Sequence, residues 1–236
     1  MSAKNTPTPA AVERMRKRLL WGFGGLLAVL LGSGVLYALG AFDRFVATGD
    51  EYTVIDGTTP PAPGTPITVV EYFSYSCPHC RDFDPQVEAF SKDLPEGVIF
   101  KRVPIVFGGG EQDLHARTYY ALEAADALEA NHPRIFEAIH GEGRRLDTAQ
   151  AMAALVDGHG IYAAPFLRMV EAGPVRARVA AAQADQQRVG IMSIPTLVVA
   201  GHWRIEVGAV GRARAIAIAE SLIEKAQAGS AATGAP

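Results

Sequence analysis

The segment that most constrains what this chain can fold into is Ile67–Cys80. In it an apolar β-run turns through Ser74-Tyr75-Ser76 into Cys77-Pro78-His79-Cys80, which holds the only two cysteines in 236 residues. As a staple, so small a disulfide loop restricts the unfolded chain little, roughly 2 kcal/mol before strain. Two thiols this close can instead form and break a disulfide within one site, which is redox chemistry. Ile67-Thr68-Val69-Val70-Glu71-Tyr72-Phe73 is rich in β-branched and aromatic residues and reads as a buried strand. Phe83, Val87 and Phe90 then recur at helical spacing, which places Cys77 at a helix N-terminus. There, free backbone N–H groups and the helix dipole favour a thiolate, the reactive form. Pro78 fits the first turn, and Pro85 is expected to kink the helix. His79 can add a hydrogen bond or positive charge beside the Cys77 sulfur. A stabilised thiolate favours the dithiol over the disulfide, so the site should be an oxidant. Cys77 is expected to be the exposed nucleophile and Cys80 the buried resolving thiol.

Half a zinc site would look the same, but zinc needs two further ligands at finger or ribbon spacing. No second CxxC and no HxxxH pair is present. The expectation is no metal and no cofactor beyond the redox-active Cys77–Cys80 disulfide itself. His115, His132, His140, His159 and His202 read as ordinary surface or satisfied core residues. Far downstream, Ser193-Ile194-Pro195-Thr196 runs into the apolar strand Leu197-Val198-Val199.

Strand, Phe-Ser-Tyr-Ser-Cys-Pro-His-Cys, Leu94-Pro95-Glu96-Gly97-Val98 and the Ile194-Pro195 motif, in this order, resemble the DsbA family of thiol-disulfide oxidoreductases. The resemblance spans about Tyr52 to Gln227. It implies an α/β thioredoxin-like fold with an inserted helical subdomain and a cis Ile194–Pro195 bond lying against the cysteines. Substrate peptide would pair there as an added strand. The family's buried acid is matched by Glu71, six residues before Cys77, which would relay protons to Cys80; a water-facing edge glutamate is the alternative. The family's usual lysine partner appears as Arg102, which cannot give up its proton.

The N-terminus carries the other strong signal. Residues 1–18 hold five Lys/Arg against one Asp/Glu, and Leu19–Phe42 is 24 residues without a charge. As a helix that run would be about 36 Å long, enough to cross a bilayer. The basic flank should stay inside, leaving everything after Phe42 exported. The exported part carries 17 Lys/Arg against 24 Asp/Glu, which argues against nucleic acid as a partner. A signal peptide cleaved near Gly40 is the rival reading, though the apolar run exceeds the usual ~7–15 residues of a leader. Either way the compartment is periplasmic or otherwise extracytoplasmic. The expected organisation is a basic tail (1–18), an anchor (19–42) and a connector with the first strand (43–66). Two thioredoxin-like halves (67–112 and 189–227) then flank a helical insertion (113–188), with breaks near Asn131, 141–143, 158–160 and 173–174. Residues 228–236 read as a disordered tail.

The function this supports is donation of the Cys77–Cys80 disulfide to thiol-bearing, unfolded exported proteins by a monomeric protein. The resemblance implies reoxidation by a quinone-linked membrane oxidase of the DsbB type. A tethered reductase or isomerase serving dedicated clients uses the same fold in reverse. A peptide-gripping chaperone would have little use for both cysteines.

Overall fold

A computed structural model describes Trp21, residues 51–62 and residues 64–232. The basic tail and the uncharged run expected as an anchor lie, Trp21 apart, outside the described residues. Among the described residues no helix is long and apolar enough to cross a membrane.

Five strands form one sheet in the order β1-β5-β4-β2-β3: β1 (Thr53–Val54), β2 (Ile67–Phe73), β3 (Val98–Pro104), β4 (Thr196–Val199) and β5 (Trp203–Glu206). Only β2 and β3 run parallel; β2–β4, β4–β5 and β5–β1 are antiparallel. A parallel pair needs a crossover, and α1 (Pro78–Lys92) supplies it. The central strand β2 is buried on both faces, which is why it reads as a nearly continuous apolar run. Side chains alternate along it. Ile67 and Val69 meet Phe83, Val87 and Phe90 of α1 and the apolar stripe of the last helix. Tyr72 points to the other face, where it packs with Ile105, Val189 and Val198. By the same alternation Glu71 falls on the α1 side.

The insertion consists of α2 (Glu111–Ala124), α3 (Leu128–Phe136), a π-helical turn (Glu137–Gly141), α4 (Ala149–Val156), α5 (Ala163–Val170) and α6 (Gly173–Arg188). Its core is continuous with the end of β2, through Phe73 and Tyr75, and with Cys80. Thr148 caps α4 by accepting from the Ala151 N–H at 3.2 Å, and Pro174 sits in the first turn of α6, where its missing N–H costs nothing. A one-turn α7 (Val207–Val210) and the long α8 (Arg212–Ala232) complete the chain.

Three expectations need correction. Asn131 does not break a helix: it is buried inside α3, its amide donating to Ala127 O at 2.7 Å and His159 O at 2.6 Å. The break falls at residues 125–127, where Asp126 takes a φ of 54°. Helix α8 continues to Ala232, so the stretch from residue 228 expected to be a disordered tail is helical through that point. The sequence reads as a strand over Trp203–Val207, but β5 ends at Glu206, because Val207 turns into α7. Tyr72, Phe73 and Tyr75 are all core, and Trp203 is buried on its strand.

Candidate active site

Cys77 is the N-cap of α1, with extended backbone before a first turn containing Pro78. Its sulfur accepts from the Cys80 backbone N–H at 3.3 Å, and its thiol lies 3.8 Å from the Ile194 carbonyl, to which it donates. Both cysteines are free thiols; Cys77 is half-buried and Cys80 fully buried. The Cys77 thiol is pulled down to about 6. The largest cause is the hydrogen bond from the Cys80 thiol; the backbone N–H groups of Cys80 and His79 and the His79 charge add to it, against partial burial. The His79 side-chain charge is the smallest of these contributors, behind the helix-terminal N–H groups, one of which is its own. Cys80 moves the other way, pushed up by burial and by the neighbouring sulfur. One cysteine is thus poised as a thiolate at neutral pH and the other held as a thiol.

The Ile194–Pro195 bond is cis. Pro195 and Ile194 line a groove of about 560 Å³ with His79, Gln86 and the α7–α8 corner at Gly208, Gly211 and Arg212. The nucleophile's α1 turn and the proline loop thus share one concave surface.

Glu71 is buried, as the apolar strand around it implied, and lies beside Arg102 in the β2–β3 ladder. The Arg102 Nε donates to Glu71 Oε2 at 3.0 Å, while its Nη2 donates to Asp84 Oδ1 at 3.3 Å and Glu88 Oε2 at 3.0 Å. One guanidinium thus serves three carboxylates. Arg102 is itself stabilised as a cation: burial opposes the charge, but Glu71, Asp84 and Glu88 outweigh it. Glu71 fares worse, since burial outweighs its share of Arg102 and lifts it from the ordinary 4.5 to about 7. A raised carboxylate costs nothing below the unfolded value and its full penalty above the folded one. Glu71→Gln should therefore stabilise the reduced protein by an amount that grows between pH 4.5 and 7. The gain should level off at about 3 kcal/mol, since each tenfold change in proton affinity is worth about 1.4 kcal/mol. Denaturant midpoints of the two proteins at pH 4.5 and pH 8 check this; equal gaps at both values would refute it.

Several residues around the cysteines escaped the sequence reading. The turn Ser74-Tyr75-Ser76 is held by three histidines of the insertion. His132 Nδ1 meets the Tyr75 hydroxyl at 2.8 Å, His140 Nε2 meets the Tyr75 carbonyl at 2.8 Å, and His115 Nδ1 meets the Ser76 hydroxyl at 3.2 Å. These are satisfied residues, as expected, but they sit against the catalytic turn. Cys80, Asp84 and Glu88 recur at i, i+4, i+8, a spacing that puts both acids on the helix face carrying the buried cysteine. That signal was present in the sequence. The positions of the histidines were not, because they depend on how the insertion docks. Among the described residues no cluster of side chains could hold a metal ion.

The chain matches the thioredoxin family over residues 61–212. The thiol:disulfide interchange protein DsbA of Azotobacter vinelandii is 34% identical over 206 residues, covering 85% of this chain and 96% of that protein. Among solved structures, Pseudomonas aeruginosa DsbA matches with a TM-score of 0.73 at 32% identity, covering 79% of this chain and 97% of the other. The DsbA oxidoreductase of Xylella fastidiosa matches with a TM-score of 0.70 at 30% identity, covering 78% and 98%.

Proposed function

The chain belongs to the DsbA family of thiol:disulfide interchange proteins, and from that premise we propose that it runs as an oxidase, passing its Cys77–Cys80 disulfide to exported proteins. The observation that carries the direction is the opposed environment of the two sulfurs. A Cys77 thiolate held by the Cys80 thiol and the α1 N–H groups makes the reduced state comfortable and the disulfide correspondingly oxidising.

A substrate thiolate attacks Cys77; the Cys77–Cys80 bond breaks, and its electron pair goes to the Cys80 sulfur. That sulfur takes a proton from the Glu71 carboxyl, whose raised proton affinity keeps it half-protonated near pH 7. A second substrate thiolate then attacks the substrate sulfur of the mixed disulfide and frees Cys77 as a thiolate. The substrate has lost two electrons and the cysteine pair has gained them. Ile194 and Pro195 present backbone beside the nucleophile, where an extended substrate segment pairs as an extra strand. Reoxidation falls to a quinone-linked membrane oxidase of the DsbB type. The basic cluster and uncharged run of residues 14–42 direct the domain out of the cytoplasm. Retained, that run is a single-pass anchor; cleaved near Gly40, it leaves a soluble periplasmic monomer with the same chemistry.

The test is the reduction potential of the Cys77–Cys80 pair in the full chain, equilibrated with glutathione at pH 7. DsbA itself is the standing example of a strong oxidant on this scale, so the expectation is calibrated on the family: a value well above about −180 mV. A value near about −270 mV would instead make the protein a thioredoxin-like reductase.

A further inference from the structure

His132 touches both the turn before Cys77 and the carboxylate cluster beneath Cys80. It sits in α3 and is almost wholly buried among the rings of Phe73, Tyr75, Tyr119 and Phe136. Its Nε2 lies 3.1 Å from Asp84 Oδ1 and its Nδ1 2.8 Å from the Tyr75 hydroxyl. A carboxylate can only accept, so the ring proton belongs on Nε2, and Nδ1 then accepts from Tyr75. Burial favours the neutral ring, against the pull of Asp84.

The oxygen that receives this bond is contested. Arg102 Nη2 reaches the same Asp84 Oδ1 at 3.3 Å, the longest of its three carboxylate contacts. The guanidinium donates in a fixed fork, so drawing it toward Asp84 moves its Nε away from Glu71. We propose that His132 is a positioning residue for the cysteine exchange: by satisfying Asp84 it leaves Arg102 seated on Glu71, the proton acceptor for Cys80. This rests on the Glu71 role given above.

The groups facing Glu71 are Arg102 from β3, Cys80, Asp84 and Glu88 from α1, and Tyr119 from α2; Leu197 on β4 is apolar. Those facing His132 are Asp84, Glu88, Arg102 and the Tyr75 and Tyr119 rings. Asp84, Glu88, Arg102 and His132 also line a cavity of about 520 Å³ that shares no lining residue with the groove at Pro195. The contest over Asp84 is therefore settled away from the surface that a substrate would cover.

The step that reads this is the attack of Cys80 on a mixed disulfide at Cys77. The Cys80 proton passes to the Glu71 carboxylate, the Cys80 sulfur bonds to Cys77, and the outer thiolate leaves. An aromatic disulfide whose released thiolate absorbs visible light supplies that leaving group. In stopped flow on the reduced full chain, the first release reports Cys77 and the concentration-independent second release reports Cys80. The second-phase rate should rise with pH as Glu71 ionises. His132→Leu should move its midpoint up by about half to one pH unit, because Glu71 loses part of its cation. His132→Gln keeps a donor for Asp84 and should stay near the native profile. Asp84→Asn should move the midpoint down, and with it in place His132→Leu should add nothing, since His132 acts through Asp84. Glu71→Gln should flatten the profile. If it flattens but His132→Leu causes no shift, or if His132→Gln shifts as far as His132→Leu, the positioning role is wrong and the Glu71 role stands. If Glu71→Gln leaves the profile intact, both fall. Should His132→Leu fail to fold, the His132→Gln and Asp84→Asn profiles decide: a downward shift only in the latter supports the role, and any other pair overturns it.

Discussion

Replacing Cys77 with Ser is expected to lower disulfide transfer to a reduced peptide by at least about a thousandfold, as loss of a catalytic nucleophile does elsewhere. Cys80 is fully buried, so no substrate sulfur can reach it first; every productive encounter begins at Cys77. The partner variant should fail differently. Cys80→Ser leaves the nucleophile in place and a hydroxyl to hydrogen-bond it, so Cys77 stays acidic and collects mixed disulfides that nothing within the protein resolves. Cys80→Ala removes that donor, the largest cause of the acidity, and the thiolate titration seen by ultraviolet absorbance should move up from about 6. Non-reducing electrophoresis with a disulfide-bearing peptide, which the surviving thiolate attacks with release of the peptide's other thiol, separates the two roles. Trapped adducts with Cys77→Ser, rather than with Cys80→Ser, would reverse the assignment of nucleophile and resolving thiol.

The part of this architecture that local pattern determines was legible from the chain alone. Strand β2 begins and ends where its β-branched run does and Cys77 caps α1, whereas the cis bond before Pro195 was implied by the family resemblance and not by local pattern. Glu71 was legible as buried because a charged residue inside an otherwise apolar central strand has nowhere else to go. What escaped depends on contacts between segments far apart in sequence. Asn131 looks like a helix breaker by propensity, and beyond its local bond to Ala127 its amide is held inside the helix by the carbonyl of His159, 28 residues away. His132 lies 48 residues from Asp84 and 57 from Tyr75, and no spacing rule connects them. The arginines of α6 are about half exposed, and Arg176, Arg178 and Arg188 each meet a carboxylate, with Arg178 also stacked 4.2 Å over the Tyr120 ring. Net charge cannot reveal such pairings.

The substitution with the largest expected effect on stability is Arg102→Met, which keeps an apolar chain of similar reach and removes the charge. Deleting one partner of a buried ion pair costs about 3–5 kcal/mol, because the other charge remains buried without compensation. Here Glu71, Asp84 and Glu88 lose their common donor together, and Glu71 has no other ionic partner among the described residues. Asp84 keeps His132, and Glu88 keeps Lys92 at 3.1 Å, so the loss concentrates on Glu71. Without the guanidinium, Glu71 should bind its proton more tightly still. A carboxyl whose folded value is raised destabilises the fold as pH rises through it, so the Arg102→Met deficit should be greatest at pH 8 and smaller at pH 5. For a domain of this size the pH 8 loss corresponds to roughly 10 °C in Tm. Adding Glu71→Gln to Arg102→Met removes the stranded charge and should return a large part of the loss at pH 8 and little at pH 5. Thermal melts of the reduced wild type, both single variants and the double variant at the two pH values complete the cycle. Equal losses at pH 5 and pH 8, with no recovery in the double variant, would mean that Arg102 matters for its packing rather than for the charge it gives Glu71.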